Sequence, residues 1–359
     1  MRMKYLLTMR LTLIAIGLIL ASVCHAQFTA APASPFAVGA YPSSIAVADF
    51  NNDGIQDVAV TDLSSNQVTV MLGMANGGFM PPQRYAVGTN PVSIAVFYLP
   101  AGVAGCSTAV VSCPSLAVAN EGSGIQTNGN PASGTVSVLL GNGQGGFTTP
   151  AASVTVGSAP VSVAAGNLNG SPILMVANFG DNTVTVLAPV MTVATSSGAS
   201  ALFTGGFSAC TSAFPVGNRP SSVAVGDFNG DGIPDFAVAN KSDATVTVYL
   251  GTAAQCSYTL NTMGPFPVTV LNPPAPPLAY PASIVTADFN LDGYLDLAIA
   301  DEGINAVSIL LGDGNGNFGP TAYMPTIPLI STGNGPFGLT VGYFQRQYVS
   351  GPCGNEPNR

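Results

Sequence analysis

Three short loops hold most of the chemistry this 359-residue chain can offer. In "DFNNDGIQD", Asp49, Asn51, Asp53 and Asp57 stand at the first, third, fifth and ninth positions, with Gly54 at the sixth and Ile55 at the seventh. The set returns as Asp227, Asn229, Asp231, Ile233 and Asp235, and again as Asp288, Asn290, Asp292, Tyr294 and Asp296. Alternating oxygen side chains with one backbone carbonyl at position seven suit calcium, a hard cation that takes about six to eight oxygens. Glycine at position six permits the sharp turn. Nine of the seventeen acids sit in these loops, and carboxylates so close raise one another's pKa unless a counter-ion is present. About three calcium ions are expected, held at about 10⁻⁴ to 10⁻³ M as in other extracellular modules.

Two other readings of the loops are weaker. An EF-hand places Glu at the twelfth position between two helices, whereas here that position is Val60, Val238 or Ile299 and the flanks alternate with a period of two. A plain Asx-turn hairpin uses Asp and Asn to bond its own backbone. It has no need of a third carboxylate at position nine.

Nucleophilic catalysis has little to work with. Residues 1–26 read as a secretory signal: Arg2, Lys4 and Arg10 precede an apolar run from Leu11 to Ala21, and small residues lead to cleavage after Ala26. The run is shorter than the roughly 20 residues a membrane span needs, and lipidation at Cys24 is disfavoured by Val23 before it. Cleavage removes His25, the single histidine, and with it any Ser/His/Asp or Cys/His arrangement. A pair of carboxylates, as in glycoside hydrolysis, would draw on Asp62, Glu121, Asp181, Asp243, Asp301, Glu302, Asp313 and Glu356. Asp62, Asn120, Asn178, Asn240 and Asp301 recur at one place, a strand end, where short Asx side chains most simply satisfy turn backbone.

The chain from Gln27 onward holds five basic residues, Arg84, Arg219, Lys241, Arg346 and Arg359, against seventeen acids, a net charge of −12. Nucleic acid and anionic membrane both require Lys and Arg to neutralise phosphate. Neither is an expected partner, and no stable membrane insertion of the mature chain is expected. In an exported chain disulfides are the default fate of cysteine. Cys106 and Cys113 bracket one short insertion and are expected to pair; Cys210 and Cys256, in similar places in neighbouring repeats, are the second candidate pair; Cys353 is left odd.

The elements that must position the loops are repeated. "YPSSIAVADFNNDGIQDVAVTDLSSNQVTVMLG" from Tyr41 returns as "RPSSVAVGDFNGDGIPDFAVANKSDATVTVYLG" from Arg219 and as "YPASIVTADFNLDGYLDLAIADEGINAVSILLG" from Tyr280. Two degenerate copies lie between them. One opens "NPVSIAVFYLP" and lacks acids at the loop; the other keeps Asn167 and Asn169 but sets Ser171 and Met175 where carboxylates stand elsewhere. A sixth copy opens at "GPFGLTVGYF" and stops. Pro42, Pro91, Pro160, Pro220, Pro281 and Pro336 mark units about 50 to 70 residues apart. Inside each, four alternating runs predict four antiparallel strands, the blade of a β-propeller, so the fold class is all-β. A β-solenoid would use shorter repeats.

"DFNGDGIPD" together with "GDGNGNFG", echoed by "GNGQGGF" and "GMANGGF", resembles the FG-GAP or VCBS repeat family, best known from integrin α-chain propellers. The resemblance covers about residues 36–345 and implies a six- or seven-bladed propeller over residues 27–350, with 351–359 as a tail. Five full repeats and a partial sixth are present, so a thin sixth blade, an open ring and a truncated chain are the alternatives. "SPFAVG" at 34–39 matches the outermost strand of other repeats and is placed to pair across the two ends. The resemblance further implies that calcium fixes one face of the disc while "DLSSN", "EGSGIQTNGNPASG", "FGDN", "KSDA" and "DEGIN" present the other to an extracellular protein or glycan. The expected function is an exported, secreted or cell-surface binding and adhesion module without enzymatic activity. The alternatives are a propeller lyase or hydrolase acting on polysaccharide, and a fragment of a larger secreted assembly. Mass spectrometry of the exported chain is expected to place Gln27 at its N-terminus; a chain retaining residues 1–26 would overturn the signal reading.

Overall fold

A four-stranded unit whose second strand reads "DVAVTD" or "DLAIAD" is apolar on both faces, so it is stable only between neighbours. The computed structural model describes residues 34–103, 105–123, 133–148, 152–192, 202–254, 256–268, 279–319 and 329–342. The signal segment, the tail, Cys353 and most of the "EGSGIQTNGNPASG" loop lie outside these residues. Residues 35–341 make one compact unit. No helix among the described residues is long and apolar enough to cross a membrane.

Five antiparallel sheets follow one another in chain order. The first is β1 (Pro42–Ala48), β2 (Asp57–Asp62), β3 (Gln67–Met71) and β4 (Gln83–Ala86); the second is β5 (Pro91–Pro100), β6 (Ser112–Asn120), β7 (Ser133–Leu139) and β8 (Ala152–Ser158). The third is β9 (Pro160–Leu168), β10 (Ser171–Asn178), β11 (Thr183–Thr192) and β12 (Leu202–Ala209), with β13 (Phe214–Pro215) also on β11. The fourth is β14 (Pro220–Gly226), β15 (Asp235–Asn240), β16 (Thr245–Gly251) and β17 (Tyr258–Leu260), with β18 (Phe266–Pro267) also on β16. The fifth is β19 (Pro281–Ala287), β20 (Asp296–Asp301), β21 (Ala306–Gly312) and β22 (Phe318–Gly319), with β23 (Leu329–Ser331) also on β21. The first strands β1, β5, β9, β14 and β19 lie side by side in that order. This is the β-propeller of four-stranded blades that the repeats predict.

Packing between blades pairs small residues with large ones. Ala117 and Ala119 on one face of β6 meet Val163, Leu174 and Val176 of the third blade, and Ala237 and Ala239 of β15 meet Ile284, Leu297 and Ile299 of the fifth, all buried. Alanine on one face leaves room for the next blade's branched side chains to reach close packing. Each of the four buried clusters therefore belongs to two consecutive blades. A serine ladder adds a polar stitch at the inner strands. Ser44, Ser93, Ser162, Ser222 and Ser283 each accept, through Oγ, the backbone N–H of the next unit's Ile94, Val163, Val223, Ile284 and Leu339, at 3.2 to 3.3 Å. Leu339 shows that the sixth copy enters in register, although no sixth sheet forms among the described residues. Accordingly Ile45 is 62% exposed on the first blade, while its equivalents Ile94 and Ile284 are 7% and 3% exposed.

The two glycine-rich motifs meet at the joints. Phe50, which follows the first aspartate of its loop, packs edge-on against Phe147 of "GNGQGGF" in the next blade, and its carbonyl accepts the Gly145 N–H at 3.0 Å. Phe228 repeats the contact with Phe318 and Gly316 of "GDGNGNF". Gly145 and Gly316 both have left-handed φ, and a Cβ on either would stand 2.7 Å from a leucine side chain of the preceding blade. Only glycine fits there.

Both expected disulfides form. Cys106–Cys113 closes the insertion between β5 and β6, and Cys210–Cys256 ties the third blade to the fourth, each with Cα atoms 5.6 Å apart. Closing a 46-residue separation restricts the unfolded chain by about 4 kcal/mol on the loop-entropy account. The degenerate third blade corrects one sequence expectation. Ser171 pairs with Leu168 across a tight Asn169–Gly170 turn, both residues at positive φ, so the link is shorter than a calcium loop. Counted back from Asn178, the place of Asp57 and Asp235 is taken by Ile173, and Met175 sits where Ala59 and Ala237 do.

Replacing Phe228 by Ala should cost about 3 kcal/mol or more in urea unfolding, because the ring is 2% exposed inside a joint; Phe289→Ala, at 42% exposure with no following sheet among the described residues, should cost about 1 kcal/mol. Equal costs would contradict the joint.

Candidate functional site

The three acidic loops link the first two strands of the first, fourth and fifth blades, so they lie at one end of the repeats. Each closes on itself in the same way. Asp49 takes the N–H of Asp53 on Oδ1 at 3.1 Å and that of Gly54 on Oδ2 at 2.7 Å; Asp53 Oδ1 takes the N–H of Ile55, and Asn51 donates from Nδ2 to Asp53 Oδ2 at 2.9 Å. Asp227, Asn229, Asp231 and Ile233 repeat these bonds in the second loop, and Asp288, Asn290, Asp292 and Tyr294 in the third.

The ninth residue is different in kind. Asp57, Asp235 and Asp296 are fully buried. Each accepts two backbone N–H groups: one from Phe50, Phe228 or Phe289 within its own loop, the other from Gly73, Gly251 or Gly312 where the third strand ends, all at 2.7 to 2.9 Å. A carboxylate at position nine thus has a structural use that a simple Asx turn lacks. In the second blade, Ser115 stands in for it and accepts the Gly141 N–H. Burial pushes the carboxyls of Asp57 and Asp296 above the usual range and that of Asp235 up to about 6, with the loop's other two aspartates adding repulsion at Asp57 and Asp235. Chemically the donor set is all oxygen and strongly anionic, which fits a hard divalent cation. The lone pairs are meanwhile engaged by loop amides. No three acidic side chains converge as a ready cage among the described residues.

At the opposite end, the recurrent Asx residues do not line an opening. Asp62, Asn120, Asn178, Asn240 and Asp301 are all fully buried. They bond less to turn backbone than to hydroxyls of the third strand: Asn178 Nδ2 donates to Thr183 and Thr185, Asn240 Nδ2 to Thr245 and Thr247, and Asp62 and Asp301 accept from Thr69 and Ser308. Asp62 also takes the Gly39 N–H at 2.8 Å, which anchors the 34–39 segment against the first blade. Asp301 has one oxygen without a partner, and burial pushes its carboxyl up to about 7.

Sequence reasoning did not single out Arg219 or Phe179. The residue before each marker proline, Tyr41, Asn90, Ala159, Arg219, Tyr280 and Gly335, has a left-handed backbone. The proline that follows was the signal available in the sequence. Arg219 lies over the Phe179 ring at 5.6 Å, beside a cavity of about 540 Å³ between the third and fourth blades.

A family profile described as the FG-GAP repeat matches residues 41–71, and one for the FG-GAP-like repeat matches residues 227–299. No curated protein matches the chain. Among solved structures, a functionally unknown protein from Desulfotomaculum acetoxidans is 12% identical, with 83% of this chain and 91% of that one covered and a TM-score of 0.38. A protein from Lactobacillus plantarum is 17% identical, covering 80% and 66%, with a TM-score of 0.41. A periplasmic gluconolactonase from Pseudomonas aeruginosa is 16% identical, covering 84% and 69%, with a TM-score of 0.44. At identities this low these likenesses carry no inference about activity.

Asp301 provides a test of the buried Asx positions. Its raised carboxyl favours the neutral form, so its stabilising contribution is complete below about pH 4 and is lost as pH rises through about 7. Asp301→Asn, the residue at three of the equivalent positions, should therefore raise stability at pH 8 by on the order of 3 kcal/mol and change little at pH 4. Thermal melts across that range check the sign; a variant less stable at pH 8 would refute it.

Proposed function

We propose, from the premise that this chain carries FG-GAP repeats, that it is an exported calcium-binding propeller which serves as a binding or adhesion module for an extracellular protein or glycan. The observation that carries the calcium part is the same oxygen-only donor set in three loops, each built on a buried aspartate that ties the loop to its blade. Asp49, Asn51, Asp53, Asp57 and the Ile55 carbonyl would hold the first ion; the equivalent residues of the other loops would hold the second and third. A bound cation would supply positive charge among the carboxylates that each loop carries. Because Phe50 and Phe228 leave these loops to pack in the next blade, ordering a loop also fixes a joint. Two disulfides fit the oxidising surroundings of an exported protein.

The binding part rests on the turns at the other end of the blades, which have no part in the joints made by the acidic loops. The polysaccharide lyase or hydrolase alternative would draw on carboxylates outside the loops, of which Asp62 and Asp301 are fully buried.

Millimolar calcium should raise the melting temperature of the chain from Gln27, EDTA should reverse the rise, and Asp227→Asn should shrink it. The gain should fade at acid pH, where the loop carboxylates take up protons in place of the ion. An unchanged melting temperature in calcium and EDTA would sink the calcium reading. A glycan and matrix-protein array run in both conditions tests the second half: binding in calcium that EDTA abolishes supports it, and no binding in either overturns it.

A further inference from the structure

Among the described residues, three are basic: Arg84, Lys241 and Arg219. Lys241 is neutralised by Glu302 at 2.7 Å. Arg219 has no carboxylate within 4.0 Å among the described residues, although the chain is strongly acidic. Its surroundings nonetheless hold it in place. The Phe179 ring lies under the guanidinium at 5.6 Å, and the Asn182 side-chain oxygen accepts the Arg219 backbone N–H at 2.8 Å. Its carbonyl accepts the Lys241 N–H at 2.9 Å, fixing the left-handed turn from which the side chain departs.

The nearby acids face elsewhere. Asp243 accepts the backbone and side-chain N–H groups of Asn218 at 2.6 and 2.9 Å, and Asp181 accepts the Ser158 N–H. What remains toward the cavity of about 540 Å³ is rich in donors: the guanidinium, the Ser242 hydroxyl and the one Asn182 amide hydrogen not given to Asn218 Oδ1 at 3.5 Å, beside one aromatic ring. A cavity of that size admits one or two sugar rings. A planar guanidinium fork matches a carboxylate with two parallel hydrogen bonds.

We infer that the cleft between the third and fourth blades is a carboxylate-binding subsite centred on Arg219, and that its ligand is a sugar acid of the uronic type. The inference rests on the reading of this face as a binding surface and narrows it to one ligand chemistry. Arg219 makes the ion pair and Ser242 and Asn182 address hydroxyls. Phe179 is a positioning residue, holding the guanidinium over its ring by a cation–π contact. A neutral hexose lacks the group that the guanidinium selects, and a simple carboxylate such as acetate lacks the hydroxyls.

Titration calorimetry on the full mature chain in calcium, with glucuronate, glucose and acetate as probes, tests this. Glucuronate should bind at least tenfold more tightly than either of the others, and Arg219→Asn should abolish that preference. Asparagine suits the left-handed backbone, as Asn90 does at the equivalent position with φ 54°, so the turn survives the change. An unaltered calcium-dependent melting temperature in the variant confirms that the fold is intact. Equal weak binding of all three probes, or a preference that persists in Arg219→Asn, would overturn the inference. If the array still reports calcium-dependent binding while glucuronate fails, this subsite alone is wrong; if the array is blank, the binding-module reading falls independently.

Discussion

No blade of this protein can bury its own surface, and that constraint organises everything else. The second strand of four of the five sheets alternates small and large apolar side chains, so each face needs a different neighbour. Leu174 and Val176 fill the space that Ala117 and Ala119 leave, and Leu297 and Ile299 do the same against Ala237 and Ala239. The serine ladder then aligns the inner strands, since each Oγ accepts one backbone N–H of the following unit. A hydrogen bond of this kind contributes only about 1 kcal/mol net. Its larger effect is on register, which sets which residues meet at every joint.

The acidic loops belong to that same system of joints. Each ends in an aspartate whose two oxygens clasp two backbone N–H groups, one in the loop and one at the end of the third strand. Burial makes the charge costly, and the neighbouring aspartates add to the cost at Asp57 and Asp235. The divalent cation proposed for these loops would offset both contributions. The phenylalanine that follows the first aspartate then enters the next blade, so the order of a loop and the order of a joint are one property. Phe289 shows the converse: its blade is followed by no sheet among the described residues, and the ring is left 42% exposed.

The other end of the blades is chemically separate. Its buried Asx residues support the third strands internally, while, of the six pre-proline residues with left-handed backbone, the side chains of Tyr41, Arg219 and Tyr280 stand exposed. Five of the six are uncharged, and the sixth is Arg219. With no carboxylate within 4.0 Å among the described residues, it places a positive group on that face of a chain with seventeen acids.

The sequence by itself determined the repeat, its four strands, the ligand-type spacing of the loops and the two cysteine pairs, because each depends on local periodicity or on place within a repeat. The fold class followed from these. Three matters were decided only by tertiary structure. The ninth aspartate looked like a ligand alone, yet it also accepts an N–H sixteen residues downstream, at Gly73, Gly251 or Gly312; a contact across a sheet leaves no trace in the spacing within a loop. Met175 seemed to occupy a ligand position until pairing through the Asn169–Gly170 turn placed Ile173 there, because counting along the chain cannot register a shortened hairpin. Arg219 was one basic residue among five. Only the packing of two adjacent blades set it on Phe179, beside a cavity.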